Sequence, residues 1–140
     1  MVRGLKVFAK TTESQRERQK AAYRIFRRAR KHKISGDIVA VSAITVAELE
    51  FGSWNSPDYE SESDAARRAI APLEFLAFDA GDCAMQYGRV RHSLESAGTP
   101  IGSLDTLIAA HALAIGATLV TSDILEFSRV PGLKFENWAQ

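Results

Sequence analysis

Residues 38–43, Ile-Val-Ala-Val-Ser-Ala, form a near-continuous apolar, β-branched run that passes straight into a helix-patterned segment with no turn residue between. Such a run suits a strand buried on both faces, the situation of a parallel sheet. Parallel neighbours cannot be joined by a tight hairpin, so helices must carry the crossovers. The rest of the chain obliges. Leu73 to Phe78 and Ala117 to Thr121 are further buried-strand segments, and Leu5 to Ala9 and Lys134 to Trp138 are shorter candidates. Between them lie helical patterns. Ala22, Ile25, Phe26 and Ala29 recur at i, i+3, i+4 and i+7, and Thr45 to Trp54 continues from the strand at 38–43. Ser56 as N-cap with Pro57 at the first helical position opens a helix to about Ile70. Asp79 caps the helix bearing Cys83, Tyr87, Val90 and Leu94, which Gly98 ends. Ser103 caps Leu-Asp-Thr-Leu-Ile-Ala-Ala-His-Ala-Leu-Ala-Ile, apolar nearly all round and therefore central, with Gly116 as its stop. Ile124 to Phe127 is at most one helical turn. The alternation predicts an α/β fold on a central parallel sheet.

At 140 residues with one cysteine, the chain is expected to be a single domain, 1–140, that holds together without disulfides or a structural metal. No run of about 18 apolar residues and no signal-peptide pattern is present, so a soluble, cytoplasmic protein without membrane contact is expected. The net charge of +1 conceals a polar division. Residues 1–35 hold twelve Lys/Arg against Glu13 and Glu17, a balance of +10, while the remainder balances at −9. Residues 1–21 are an atypical basic segment, and Arg24, Arg27, Arg28 and Lys31 continue it along a helix face. A solvated helix face, a phosphate-seeking surface and a surface for an acidic partner are all open readings.

Ligands of open parallel sheets bind beyond the carboxyl ends of the strands. Three acids stand in that position: Glu48 after the strand at 38–43, Asp105 in the first turn of the central helix, and Asp123 after the strand at 117–121. Carboxylates without His or Cys partners suit a hard cation such as Mg²⁺ or Mn²⁺, which activates water and clamps a phosphoryl group. A metal-dependent phosphodiesterase is the reaction class they point to. Each acid also has a purely structural role open to it. Thr45-Val-Ala-Glu48 fits a capping box, Asp105 complements a helix dipole, and Asp123 fits the start of a turn.

The stretches GDIVAVSAITVAELEFG (36–52), GTPIGSLDTLIAAHALAIGATLVTSD (98–123) and FSRVPGLKFENW (127–138) resemble PIN domains, and among them the VapC-type toxins of toxin–antitoxin systems. The resemblance runs from about Ala22 to the C-terminus. It implies a three-layer α/β/α domain, Mg²⁺- or Mn²⁺-dependent RNA cleavage, homodimerisation and inhibition by a VapB-type antitoxin. By the same resemblance Glu48, Asp105 and Asp123 are the catalytic, metal-holding acids, with Thr121 or Ser122 in support. One part of the family pattern is missing. PIN domains of this kind open with a strand ending in an acid, commonly Asp-Thr-Asn, and here Lys10-Thr11-Thr12 stands in that place. Two explanations are open: a scaffold impaired in metal binding, which would act as an antitoxin- or nucleic-acid-binding module, or an acid supplied from elsewhere, such as Glu13 or Glu17.

The remaining reactive residues read as structural. His32, His92 and His111 lack metal-ligand spacing, and His111 on its apolar helix reads as a satisfied core residue. Cys83 reads as a small core hydrophobe. Trp54 and Trp138 are expected to be packed.

Overall fold

Parallel pairing organises the chain. The computed structural model describes residues 4–8 and 27–138. In chain order the elements are β1 (Leu5–Phe8), α1 (described over 27–34), β2 (Ile38–Ser42), α2 (Ala43–Trp54), α3 (Tyr59–Ile70), β3 (Glu74–Leu76), α4 (Asp82–Ser96), α5 (Ser103–Ala114), β4 (Thr118–Val120), α6 (Ile124–Phe127) and β5 (Lys134–Glu136). The five strands form one sheet in the order β3-β2-β1-β4-β5, every pair parallel. All five expected strands are present, most of them shorter at their ends. Of the stripe expected before α1, Ala29 is buried; Ala22, Ile25 and Phe26 lie outside the described residues, as do Ala9 and Lys10 to Thr12, Glu13, Glu17 and Arg24.

Both sheet faces are covered, giving three layers. Val7 and Leu119 pack with Val90 and Leu94 of α4 and Ile108, Ala109 and Ala112 of α5. On the opposite face Val39 and Val120 pack with Ala29 of α1 and with Trp138. Both α4 and α5 end in Schellman turns. Gly98 and Gly116 take φ of +71° and +65°, and the amides of Thr99 and Ala117 reach back to the carbonyls of Leu94 and Ala112.

Several helix starts differ from expectation. The N-cap of α2 is Ser42, whose Oγ accepts the amide of Ile44, so Thr45 is buried inside the helix and forms no capping box with Glu48. Strand β2 pairs with β3 through Ser42 itself, leaving no loop residue to delay the helix. Helix α3 is capped by Asp58, whose carboxylate accepts the amide of Ser61; the Ser56 hydroxyl instead accepts the amide of Asp58 in a turn before the helix. An anion at the cap, with Glu60 and Glu62 behind it, serves the helix dipole better than a neutral hydroxyl. Gly102, not Ser103, is the N-cap of α5. At α4 the N-cap is Gly81, but Asp79 Oδ1 accepts the amides of Gly81 and Cys83, so Asp79 does the expected work from two residues upstream.

His111 is buried, with Nδ1 2.7 Å from Ser42 Oγ and its ring edge-on to Phe78. Cys83 is a free, fully buried thiol. Trp138 is buried as expected, but Trp54 is 67% exposed, covered mainly by the ring of Tyr59 at 4.2 Å.

Candidate metal centre

The strand order reverses beside β1, where the chain has passed outward to β2 and β3 and then returns to β4. A crevice opens at the carboxyl ends of strands at such a reversal. Asp105 comes to it in the first turn of α5, and Asp123 as the N-cap of α6, directly after β4. A third acid joins them. Glu126, inside the single turn of α6, offers a carboxylate oxygen that lies with those of Asp105 and Asp123 within 4.8 Å of one another. Glu48, in the second turn of α2, is close enough for its charge to act on Asp105.

Local hydrogen bonds hold the acids in place. Thr121 Oγ1 accepts the amide of Asp123 at 3.0 Å, and Asp123 Oδ1 accepts the amide of Glu126 at 3.3 Å. Glu126 Oε2 accepts the amide of Gly102 at 3.4 Å, which ties α6 to the start of α5. The Ser122 hydroxyl is buried and has no hydrogen-bond partner among the described residues. Glu126 escaped the sequence reading because residues 124–127 carry so little pattern. The available signal was the spacing Asp-x-x-Glu, which puts a cap residue and the acid three positions on at one end of a first turn.

The electrostatics of the group are those of crowded like charges. The Asp105 carboxyl is pushed up to about 7, first by burial, then by a side-chain hydrogen bond to Glu126, then by the negative charges of Glu126, Glu48 and Asp123. A cation relieves all of these effects except burial. Oxygen donors only, converging on one point, with excess negative charge, are the donor set of a hard divalent ion.

The basic positions fall elsewhere. Arg27, Arg28 and Lys31 are exposed on α1, which packs through Ala29 on the sheet face opposite α5. Arg28 Nη1 donates to the carbonyl of Asn137 at 2.9 Å, so it also fastens the C-terminal segment.

Residues 6–133 match the family described as PIN domain. The chain belongs to that family. Among its relatives, ribonuclease VapC2 of Rickettsia felis is 43% identical over 100 residues, covering 71% of this chain and 74% of the relative. The tRNA(fMet)-specific endonuclease VapC of Salmonella typhimurium is 36% identical over 100 residues, 71% of this chain and 75% of that one. The VapBC2 structure of Rickettsia felis, bound to a promoter DNA fragment, superposes with a TM-score of 0.81 at 32% identity, covering 96% of this chain and 98% of that one. The acids of this PIN domain therefore occupy a fold shared closely with the VapBC2 structure of Rickettsia felis. No helix among the described residues is long and apolar enough to cross a membrane.

Proposed function

We propose that this PIN domain is a metal-dependent endoribonuclease toxin of a toxin–antitoxin system, cutting RNA phosphodiester bonds at the carboxyl edge of its sheet. The observation that carries the reading is the convergence of Asp105, Asp123 and Glu126, beside Glu48, in a chain 43% identical to a ribonuclease. Asp105, Asp123 and Glu126 would hold the ion directly, Glu48 would add charge beside them, and Mg²⁺ or Mn²⁺ is the ion their oxygens suit. When bound, such an ion makes water acidic enough to attack phosphorus and neutralises phosphate charge. The chain does the rest. Asp105, whose proton burial and its neighbours hold, would release it on holding the ion, Thr121 fixes Asp123, and the amide of Gly102 orients Glu126. Ser122 supplies a buried hydroxyl beside Asp123 as a supporting group. Since the Rickettsia felis neighbour is a VapBC complex, a VapB-type antitoxin is the inhibitory partner proposed here. A homodimer acting in the cytoplasm, with Arg24, Arg27, Arg28 and Lys31 proposed as the contacts for nucleic acid or antitoxin, completes the proposal.

The test is titration of the purified protein with Mg²⁺ and Mn²⁺, and cleavage of a panel of structured RNAs with and without chelator. Cleavage that needs metal and is lost, by at least about 100-fold, in Asp105→Asn and Glu126→Gln is expected. A folded protein that binds neither ion and cuts no RNA would overturn the reading in favour of a binding module.

A further inference from the structure

Glu48 and Asp105 reach the acid cluster on different helices, and their like charges push those helices apart. What opposes that push lies six residues away on each helix. Ser42 stands six residues before Glu48 at the start of α2, and His111 stands six residues after Asp105 on α5. Ser42 Oγ lies 2.7 Å from His111 Nδ1, while Glu48 is near enough for its charge to act on Asp105. Over this stretch the two helices therefore pack side by side and run in opposite directions. At 1.5 Å of rise per residue the two pairs stand about 9 Å apart along the seam. Midway between them are Thr45 of α2 and Ile108 of α5, both buried, and Ile44 packs against the core that includes Ile108.

We infer that Ser42 and His111 are positioning residues for the acid cluster: their hydrogen bond, at one end of the seam between α2 and α5, sets how closely Glu48 approaches Asp105 at the other. The inference rests on the metal-nuclease reading of that cluster, whose carboxylates must be held at one spacing to take an ion. The bond is well placed for the task. Both side chains are fully buried, so water does not compete for either. Ser42 Oγ accepts the amide of Ile44 at 3.1 Å, which leaves its own hydrogen for Nδ1. Burial keeps the imidazole neutral and so able to accept that hydrogen. Ser42 is also the last residue of β2 and pairs with Leu76 of β3, while the His111 ring lies edge-on to Phe78, just beyond β3. The bond is thus seated against the sheet rather than between the helices alone. Thr45 Oγ1, closer to the acids along α2, makes no hydrogen bond among the described residues and adds no second polar tie there. A helix pair fastened at one end and loaded with like charges at the other opens at the charged end when the fastening is cut.

The experiment compares the wild-type chain with Ser42→Ala, Ser42→Thr and His111→Phe, and with Val39→Ala as control. Val39 is buried on the opposite sheet face with Ala29, Val120 and Trp138, away from the seam. Stability is read by urea unfolding, and Mn²⁺ affinity by calorimetric titration of the folded protein. Ser42→Ala and His111→Phe are each expected to weaken Mn²⁺ binding about tenfold, the order of loss when groups that orient metal ligands are removed. Ser42→Thr keeps the hydroxyl and is expected to recover most of that affinity, and Val39→Ala to bind as the wild type does despite a lowered urea midpoint. Wild-type affinity in either Ser42→Ala or His111→Phe would overturn the inference, since both cut the same bond. An equal loss in Val39→Ala would overturn it too, as the mark of general loosening. His111→Phe leaves the α2 cap intact and decides the matter if Ser42→Ala folds poorly. A second readout needs no metal. Glu48→Gln relieves repulsion at the charged end and is expected to raise the urea midpoint less in the Ser42→Ala chain, whose seam has already opened, than in the wild type. Sites about 9 Å apart ordinarily act additively, so additive shifts would count against the seam and overturn the inference. If the wild-type protein binds no Mn²⁺ and cuts no RNA, the nuclease reading fails while this comparison still decides the seam.

Discussion

Asp105 is where the chemistry of single residues is most exposed to measurement. Its folded-state proton affinity is far above that of an ordinary aspartate at 3.8, so the folded chain keeps a proton that the unfolded chain releases. Between about pH 4 and pH 7 this group therefore contributes stability that shrinks as pH rises, and above pH 7 the contribution is gone. A divalent ion held by these acids would replace the proton. Thermal unfolding with and without Mg²⁺ is expected to show a larger metal-induced rise in Tm at pH 8 than at pH 5, and equal shifts at both would contradict the placement of the ion on Asp105. Asp105→Asn should stabilise the metal-free protein at pH 8, by on the order of 1 kcal/mol after solvent screening, while removing the Mg²⁺ response. Glu48, Asp105 and Asp123 were legible because each follows a recognisable strand or opens a recognisable helix. Glu126 was not, because its position depends on the fold of a four-residue turn capped by Asp123 and anchored by buried Phe127. Its role comes from that packing rather than from any periodicity along the chain.

Among the elements, the junction of β2 and α2 shows why boundaries were harder to place than the elements themselves. Thr45 and Ser56 each offered a plausible cap hydroxyl, and the hydrogen-bond register between β2 and β3, which no local pattern reveals, passed the role at α2 to Ser42. Ser42 has a second duty. Its Oγ meets Nδ1 of His111, whose burial holds the imidazole below the usual histidine range and so neutral. Removing that hydroxyl takes away a cap and strands a buried ring nitrogen together. Ser42→Ala is expected to cost about 2–3 kcal/mol in denaturant unfolding, more than the roughly 1 kcal/mol of an ordinary cap loss. Ser42→Thr keeps the hydroxyl and should recover part of the difference. A cost no larger than that of a surface cap would show that His111 finds another partner.

The whole molecule is drawn together where its ends meet. Lys6 of β1 pairs with Glu136 of β5 at 2.8 Å, Trp138 Nε1 donates to the same carboxylate, and the Trp138 ring stacks on His32 at 4.6 Å. His32 in turn bonds Asp37, which also accepts the amide of Gly4. Asp37 is held below the usual carboxylate range first by His32 and then by Gly4, and Glu136 first by Lys6. Their stabilisation is complete above the ordinary carboxylate range and is lost as pH falls through their depressed values, opposite in sign to that of Asp105. Trp138→Ala breaks the clasp at its buried centre and is expected to cost about 3–5 kcal/mol by denaturant titration, with acid unfolding moved to higher pH. An unchanged acid midpoint would separate the tryptophan from the ion pairs.

The central place of β1 also sets a timetable for synthesis. One edge of β1 finds β2 some thirty residues later, but its other edge waits for Thr118 to Val120. On the ribosome the young chain must therefore carry an unsatisfied strand edge through most of its translation, the state in which chaperones bind and proteases sort. A chain cut short before Thr118 would be an aggregating fragment rather than a weakened protein.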